Sequence, residues 1–405
     1  MGALEILEAR GFVRQCTHPD EVRSALASGT VTVYDGFDPT APSLHVGNLF
    51  QIMALRNLQE QGHRVIALVG GGTARVGDPS GRTELRQMMT EEELARNSTA
   101  LRSQLSKLLV LDGKRGLLLD NADWLMKLEL IPFLRSIGSQ FSVNHMLSFE
   151  AYKLRLERGL SFIELNYQVL QSYDFLELYR RYGCTLQLGG DDQWGNIVAG
   201  VDLVRRLESA RVWGLTTPLL VTASGEKMGK TARGAVWLDP AMLSPFDYWQ
   251  FWYNADDADV GTLLRVYTLL PLEEIGRLER LQGAEIREAK RILATEATAL
   301  LHGAEEADRA ARAATSMTGA VASDDLPTTL LGDPTPLKVA LVMAGLARSH
   351  GDARRLVQGG GVKIDGARAD DPERILDPGS FGRDGIVVRV GKARAVRLVS
   401  NVPKG

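Results

Sequence analysis

Between residues 31 and 225, short apolar runs alternate with stretches of helical period. The runs VTVYDGF (from Val31), RVIALVGG (from Arg64), RGLLLDN (from Arg115) and CTLQLGG (from Cys184) have strand length and end in turn residues. NLFQIMALRNLQEQ, TEEELARNSTALRSQLSKLLV, IELNYQVLQSYDFLELYRRY and NIVAGVDLVRRLES repeat their apolar positions at three and four, as helices do. This alternation predicts an α/β fold with a parallel sheet, whose ligands sit at the carboxyl ends of the strands. Residues 240–320 read as helical, and AVASDDLPTTLLGDPTP (from Ala320) reads as a linker. The remainder reads helix, turn, helix, Gly-rich turn, strand, and then two strands around a Gly-Lys turn.

A chain of 405 residues is long enough for two or three domains. No run approaches the roughly 18 apolar residues of a membrane span, so no membrane partner is expected. The start, MGALEILEARGFV, reads as an acid-bearing helix and not as a targeting segment. Two cysteines and six scattered histidines offer neither a disulfide framework nor a metal-ligand cluster. A cytoplasmic location and no resident metal are therefore expected. Charge is uneven. From Leu337 onward there are 13 Lys/Arg and 7 Asp/Glu, a balance of +6, and since the whole chain is −3, residues 1–336 carry −9. A basic module on an acidic body suits either a polyanion or an ordinary solvated surface.

Two short motifs carry candidate chemistry. HVGN, from His45, stands where a strand has ended and a helix begins. A helix N-terminus presents unpaired N–H groups to an anion, and Gly47 permits close approach, although plain capping uses the same residues. VTASGEKMGKTARGAVWLD, from Val221, sets Lys227 and Lys230 three apart in a Gly/Ser/Thr loop with Thr231. Such a loop suits phosphates in transfer, or simply solvent. A third feature is the face formed by Tyr167, Gln171 and Asp174, at i, i+4 and i+7 of an otherwise apolar helix. It is either a buried polar network or a pocket wall.

Taken together, HVGN followed by KMGKT after a long α/β stretch resembles the class I aminoacyl-tRNA synthetases. YDGFDPTAPSLHVGN, GDPSGRTELR, NYQVLQSYD and QLGGDDQWGN narrow the resemblance to the bacterial-type tyrosyl-tRNA synthetases, over nearly the whole chain. The resemblance implies a Rossmann-like parallel-sheet catalytic domain over 1–235, with a dimerisation insertion and the KMGKT loop. It further implies an α-helical anticodon-arm domain over 236–320, a linker over 321–336 and a small α+β αL-motif RNA-binding domain over 337–405. It implies that Tyr34 and Asp174 grip the substrate phenol, that Asp78, Tyr167 and Gln171 hold the ammonium, and that Gln187 and Gln193 complete the tyrosine site. ATP, arriving with Mg2+, would meet Asp35, Gly36, Asp38, His45, Gly47, Asn48, Gln51, Gly190, Asp192 and Lys230. Thr40, His45, Lys227, Lys230 and Thr231, with Arg82 and Arg86, would serve the phosphates. Arg348, Arg354, Arg355, Lys363, Lys392, Arg394 and Arg397 would face RNA. The implied partners are L-tyrosine, ATP, tRNA(Tyr) and a second copy of the chain, with Phe162 as a candidate dimer contact.

Three positions depart from the family pattern. Asp35 stands where cysteine is common, Asn48 where histidine is, and Gln51 where a small hydroxyl residue is. Asp35 places a negative charge near a polyphosphate, which weakens ATP binding unless it faces ribose hydroxyls. Asn196 reads as a helix cap. Two further readings stand beside the first. A tryptophan-activating relative is disfavoured by Asp174 and Tyr34 and by the basic tail. A non-catalytic RNA-binding paralogue is disfavoured by the intact lysine loop.

Overall fold

A computed structural model describes the chain apart from residues 81–88, 150–151, 154–155, 157–158, 224, 226–227, 232–233, 319–325, 383–384, 392–393 and 402–405. The chain divides into two compact units, Met1–Leu243 with Asp256–Ala289, and Ser244–Ala255 with Lys290–Gly405.

The first unit is built on six strands: β1 (Gln15–Cys16), β2 (Thr32–Phe37), β3 (Arg64–Val69), β4 (Gly116–Asp120), β5 (Cys184–Gly190) and β6 (Trp213–Thr217). Their order is β1-β6-β5-β2-β3-β4, parallel except for the β1–β6 pair. β3 is buried at every residue but Arg64, the continuous apolar run expected of a parallel strand covered on both faces. The chain leaves β2 through the helix Val46–Glu60, makes β3, and reaches β4 through the helix Glu91–Leu108. It then returns to place β5 on the other side of β2, and the helix Trp194–Glu208 leads on to β6. The order reverses between β2 and β5, so their carboxyl ends flank the crevice where open α/β sheets bind ligands.

The pocket helix, Phe162–Tyr182, starts and stops for local reasons. Ser161 and Glu164 form a reciprocal capping box, and Gly183 ends the helix in the left-handed conformation at φ 63°. The helices Val260–Tyr267 and Leu272–Leu278 also fold into this unit. Arg10 donates to the carbonyls of Arg265 (2.8 Å), Thr268 (2.9 Å) and Leu270 (2.7 Å). The helical stretch expected as one domain over 236–320 is therefore shared between the two units. Periodicity marks a helix but not the core its apolar face will join.

In the second unit, the helix Pro245–Tyr253 packs on Ala304–Thr318. The tail has its own core, including Leu331, Leu337, Leu341, Val362, Val388 and Leu398. Its five strands run in the order Ala367–Arg368, Val362–Ile364, Ile386–Val390, Arg394–Ser400, Thr328–Leu331. Asp365 (φ 47°) and Gly366 (φ 85°) make the two-residue hairpin turn between the first two, the conformation for which an Asp-Gly pair is suited. The linker expected over 321–336 is corrected here. Thr328–Leu331 pairs in parallel with Arg397–Ser400, and Leu331 is fully buried. Proline and aspartate on either side mask a strand of only four residues.

The helix Trp194–Glu208 is seated on the sheet by a glycine. A Cβ on Gly214 of β6 would lie 2.2 Å from Ile197 Cγ2. Gly214→Ala is expected to overpack this contact and destabilise the first unit by about 1–3 kcal/mol, measured by urea unfolding. An unchanged midpoint would show that the helix can shift without loss.

Candidate active site

A cavity of about 390 Å3 opens at the carboxyl ends of β2 and β5. At its base lies a carboxylate in apolar surroundings. Asp174, on the pocket helix, is 2 % exposed. Trp124 Nε1 donates to its Oδ1 at 2.7 Å, and Asn121 Nδ2 donates to its Oδ2 at 2.9 Å. Burial raises Asp174 to about 8, the two donated hydrogen bonds hold it down in part, and the charges of Asp38 and Asp120 push it further up. Tyr34 is 1 % exposed, and its hydroxyl has no hydrogen-bond partner among the described residues. Burial, and then the charge of Asp174, drive the Tyr34 phenol well above its ordinary range. An unpaired buried hydroxyl next to a carboxylate is costly unless a ligand brings the missing partner.

Above this pair the wall is acidic. Thr73 Oγ1 donates to Asp38 Oδ1 (2.8 Å), and Tyr167 Oη donates to Asp38 Oδ2 (3.0 Å). Gln193 Nε2 donates to Asp78 Oδ2 (2.6 Å), and Ser80 N donates to Asp78 Oδ1 (2.9 Å). Asp78 is raised by burial first and by the charge of Asp38 after it. No Lys or Arg side chain lines the cavity among the described residues. Clustered carboxylates without a protein cation favour a cationic ligand group such as an ammonium.

Asn196 is corrected from a cap to a connector. The helix it begins has no side-chain cap, and Asn196 Nδ2 donates instead to Gln171 Oε1 (3.0 Å) and Gln193 Oε1 (3.1 Å). Gln187 is buried on the same wall, and its Oε1 lacks a partner among the described residues.

The other end of the cavity is where the HVGN helix begins. His45 Nδ1 accepts from Asn48 N (3.3 Å), while His45 N donates to Asn48 Oδ1 (3.1 Å), a capping box. Capping and ligand approach are thus combined, since His45 and Asn48 also line the cavity with Thr40 and Gln51. A Cβ on Gly47 would lie 2.9 Å from His45 Cε1, so only glycine lets the imidazole fold over the helix start. Gly190 is equally confined, with Asp192 Oδ1 at 2.6 Å and Gln51 Nε2 at 3.0 Å from a Cβ placed there. Asp35 is buried with Oδ1 on Gly36 N (2.8 Å) and, among the described residues, no partner for Oδ2, and burial, followed by the charge of Asp192, raises it well above the carboxylate range.

The lysine loop reaches the same place. Gly229 has φ 81°, and a Cβ on it would be 3.2 Å from Gly47 N. Val46 N donates to Val236 O (2.9 Å) and Val236 N donates to Gly229 O (2.9 Å), so both motifs meet backbone to backbone. Lys230–Thr231 forms a short strand against Gly234–Ala235. Arg82, Arg86 and Lys227, and the side chains of Lys230 and Thr231, lie outside the described residues.

In the tail, Arg348, Arg354, Arg355 and Lys363 are exposed, and Lys392 lies outside the described residues. Arg354 pairs with Glu373 (2.9 Å) and Arg355 with Asp352 (3.5 Å). Arg394 donates to Leu346 O (2.8 Å), and Arg397 is only 9 % exposed. The expectation that Arg397 faces outward is corrected, because its side chain is buried where that of Lys363, on another interior strand, is exposed.

Sequence reading missed Thr73, Asn121 and Trp124. The available signals were three consecutive glycines and an Asn at a strand end. A Cβ on Gly70 would be 1.9 Å from Asp38 Oδ1, and one on Gly71 would be 2.4 Å from Asp120 Oδ1. Gly72 N donates to Asn121 Oδ1 (2.7 Å), which orients the amide toward Asp174. Among the described residues no group of three or more His, Cys, Asp or Glu side chains could hold a metal ion. No helix among them is long and apolar enough to cross a membrane.

The model of the tRNA synthetases class I (W and Y) matches residues 27–318, and that of the S4 domain matches 335–381. A tyrosine–tRNA ligase of Caulobacter sp. (strain K31) is 50% identical over 405 residues, covering 97% of this chain and 96% of its own. One from Clostridium botulinum (strain 657 / Type Ba4) is 47% identical over 400 residues, covering 98% of each. Among solved structures, a C-terminally truncated mitochondrial tyrosyl-tRNA synthetase of Aspergillus nidulans superposes with a TM-score of 0.71 at 32% identity, over 78% of this chain and 94% of that one. A tryptophanyl-tRNA synthetase of Encephalitozoon cuniculi shares the fold at 14% identity and a TM-score of 0.56, over 75% of this chain and 87% of that one.

The buried acid has a testable cost. Asp174, with a folded pKa of about 8 against an ordinary 3.8, keeps a proton in the folded state that it loses when unfolded. The sign of the linkage makes this penalty absent at low pH and growing until the folded pKa is passed. Asp174→Asn is therefore expected to gain stability relative to the parent as pH rises from about 4 to about 8, measured by urea unfolding. A difference independent of pH would show that Asp174 is ionised throughout that range.

Proposed function

We propose a division of labour among the residues of a chain that belongs to the class I tRNA synthetases, in the branch that charges tyrosine. The chain activates tyrosine with ATP, releasing pyrophosphate, and passes the tyrosyl group to tRNA. The observation that carries the choice of amino acid is the Asp174–Tyr34 pair at the base of the cavity. Asp174 accepts from the phenol hydroxyl while Tyr34 donates to its oxygen. An amino acid without that hydroxyl leaves both groups unpaired. A tryptophan side chain leaves Tyr34 without an acceptor.

The acidic wall takes the ammonium, through Asp78, Tyr167 and Gln171. Gln193 and Gln187 bound the carboxylate that reacts. ATP lies toward the HVGN helix, with Asp192 and Asp35 on the ribose side and Gly47 and Gly190 allowing close approach. Gly36, Asp38, Asn48 and Gln51 complete that wall. Mg2+ arrives with the triphosphate as part of the substrate. The tyrosine carboxylate attacks the α-phosphorus, the bond to the bridging oxygen breaks, and pyrophosphate leaves with the electron pair. Thr40, His45, Lys227, Lys230 and Thr231, with Arg82 and Arg86, stabilise charge on the departing phosphates. A terminal ribose hydroxyl of tRNA then displaces AMP from the adenylate. No step needs a covalent enzyme intermediate; positioning and electrostatics suffice.

Activation is assigned to the first unit. The tail, with Arg348, Arg354, Arg355, Lys363 and Lys392, meets RNA phosphates. The chain works as a homodimer in the cytoplasm, through the apolar side chains exposed in the insertion. Phe162 is 81 % exposed and Leu130 67 %, apolar surface that a second copy would cover.

The direct test is pyrophosphate exchange with each of the twenty amino acids in turn, with tyrosine expected to support it. Exchange with tryptophan but not tyrosine would overturn the assignment. Tyr34→Phe removes one hydrogen bond to the phenol and is expected to cost about 0.5–1.5 kcal/mol in kcat/KM for tyrosine. Phenylalanine exchange should be unaffected, and equal losses would mean that Tyr34 only packs. A chain ending at Thr318 stops before the strand Thr328–Leu331 and so removes the tail sheet whole. It is expected to retain tyrosine-dependent exchange near the parent rate while tRNA charging falls. Its salt slope for tRNA should lose about 0.7–0.9 for each phosphate contact removed. Unaltered tRNA affinity would dismiss the tail as an RNA contact.

A further inference from the structure

Asp174 and Arg181 lie seven residues apart on the pocket helix, about 10 Å along its axis. The buried indole of Trp124 bridges them. Its N–H edge meets Asp174 Oδ1 at 2.7 Å, and its face lies under the Arg181 guanidinium, whose Cζ is 5.7 Å from the ring centroid. Arg181 is itself held in place by an ion pair with Glu177, one turn back on the same helix. The Glu177 side chain is only 7 % exposed while that of Arg181 is 49 %, so the cation is half in solvent and its anchor sits inside. We propose that Arg181 is a positioning residue for the phenol-binding carboxylate, acting through the face of Trp124.

A cation over an indole face is attracted to the ring and fixes its plane. The same field polarises the indole N–H toward its acceptor, which strengthens the hydrogen bond to Asp174 in a poorly screened site. Apart from its two donors, Trp124 and Asn121, the charged groups facing Asp174 oppose its ionisation. Tyr34 approaches it from β2, and the carboxylates of Asp38 and Asp120 both favour its protonated form, although Asp120 is itself paired with Arg102 at 2.9 Å. A protonated Asp174 presents an O–H where the substrate phenol needs an acceptor. Arg181 biases the carboxylate toward the ionised form and holds its donor still, without touching substrate. This role rests on the reading of Asp174 as the phenol acceptor.

The test uses the full chain and pyrophosphate exchange with tyrosine and with phenylalanine, from about pH 6 to about pH 9. Arg181→Gln is expected to raise KM for tyrosine about threefold to tenfold. It should also move the acid limb of kcat/KM for tyrosine to higher pH, because loss of the cation makes Asp174 harder to ionise. Phenylalanine parameters should not change, and Arg181→Lys should restore part of the loss. In a Trp124→Phe background, which lacks the N–H, Arg181→Gln should have no further effect on the acid limb. Equal losses for both amino acids, an unshifted limb, or a full effect in the Trp124→Phe background would each overturn the proposal. A parent chain that fails to exchange with tyrosine would instead overturn the assignment of function on which it rests.

Discussion

A carboxylate buried in a protein core is tolerated only if its surroundings are fixed to receive it, and Asp174 imposes that condition on much of the first unit. Its two donors come from just beyond β4. One of them, Asn121, is oriented by the backbone of Gly72 just beyond β3. Asn121 also donates to Thr73 Oγ1 at 2.9 Å, Thr73 donates to Asp38, and Tyr167 returns to Asp38 from the pocket helix. The network thus closes on itself through the ends of β2, β3 and β4 and the pocket helix. Every strand end must keep its register for the acid to keep its partners, and hydrophobic packing alone would not demand that.

The parallel sheet supplies the geometry that the network needs. Reversal of strand order between β2 and β5 leaves a gap at their carboxyl ends, and the glycines of β5 and of the β3 turn let backbones and carboxylates approach without side chains between them. The acidic base and the helix start stand at opposite ends of one cavity. A molecule with an ammonium and a phenol at one end and a polyphosphate partner at the other is matched to that polarity.

The strands of the first unit were legible as short continuous apolar runs bounded by turn residues, as in β3, and its long helices by a period of 3.6, as in the pocket helix. The stripe of Tyr167, Gln171 and Asp174 was legible for the same reason. Asn121 and Trp124 were not, because a residue just past a strand carries no periodic mark, and their partner is 53 and 50 residues away in sequence. Asn196 was misread because an asparagine at a helix start is usually a cap, and the acceptors that give it other work, Gln171 on the pocket helix and Gln193, are set by the tertiary fold. Thr328–Leu331 was hidden by its brevity and by the turn residues around it. Its paired residues lie 69 positions further on (397 less 328), and no local pattern records that.

The parallel pairing of Arg394–Ser400 with Thr328–Leu331 also sets an order of birth. The first unit has all its residues once Ala289 is made, but the tail sheet lacks a middle strand until Ser400 follows, 111 residues later (400 less 289). At about 5–20 residues per second that interval is roughly 6–22 seconds. From the moment it is made until the end of that interval, Leu331 lacks the strand that completes the sheet over it. A chain on the ribosome therefore passes through a period in which its amino-acid pocket can already be formed while the module intended for RNA remains open to other company.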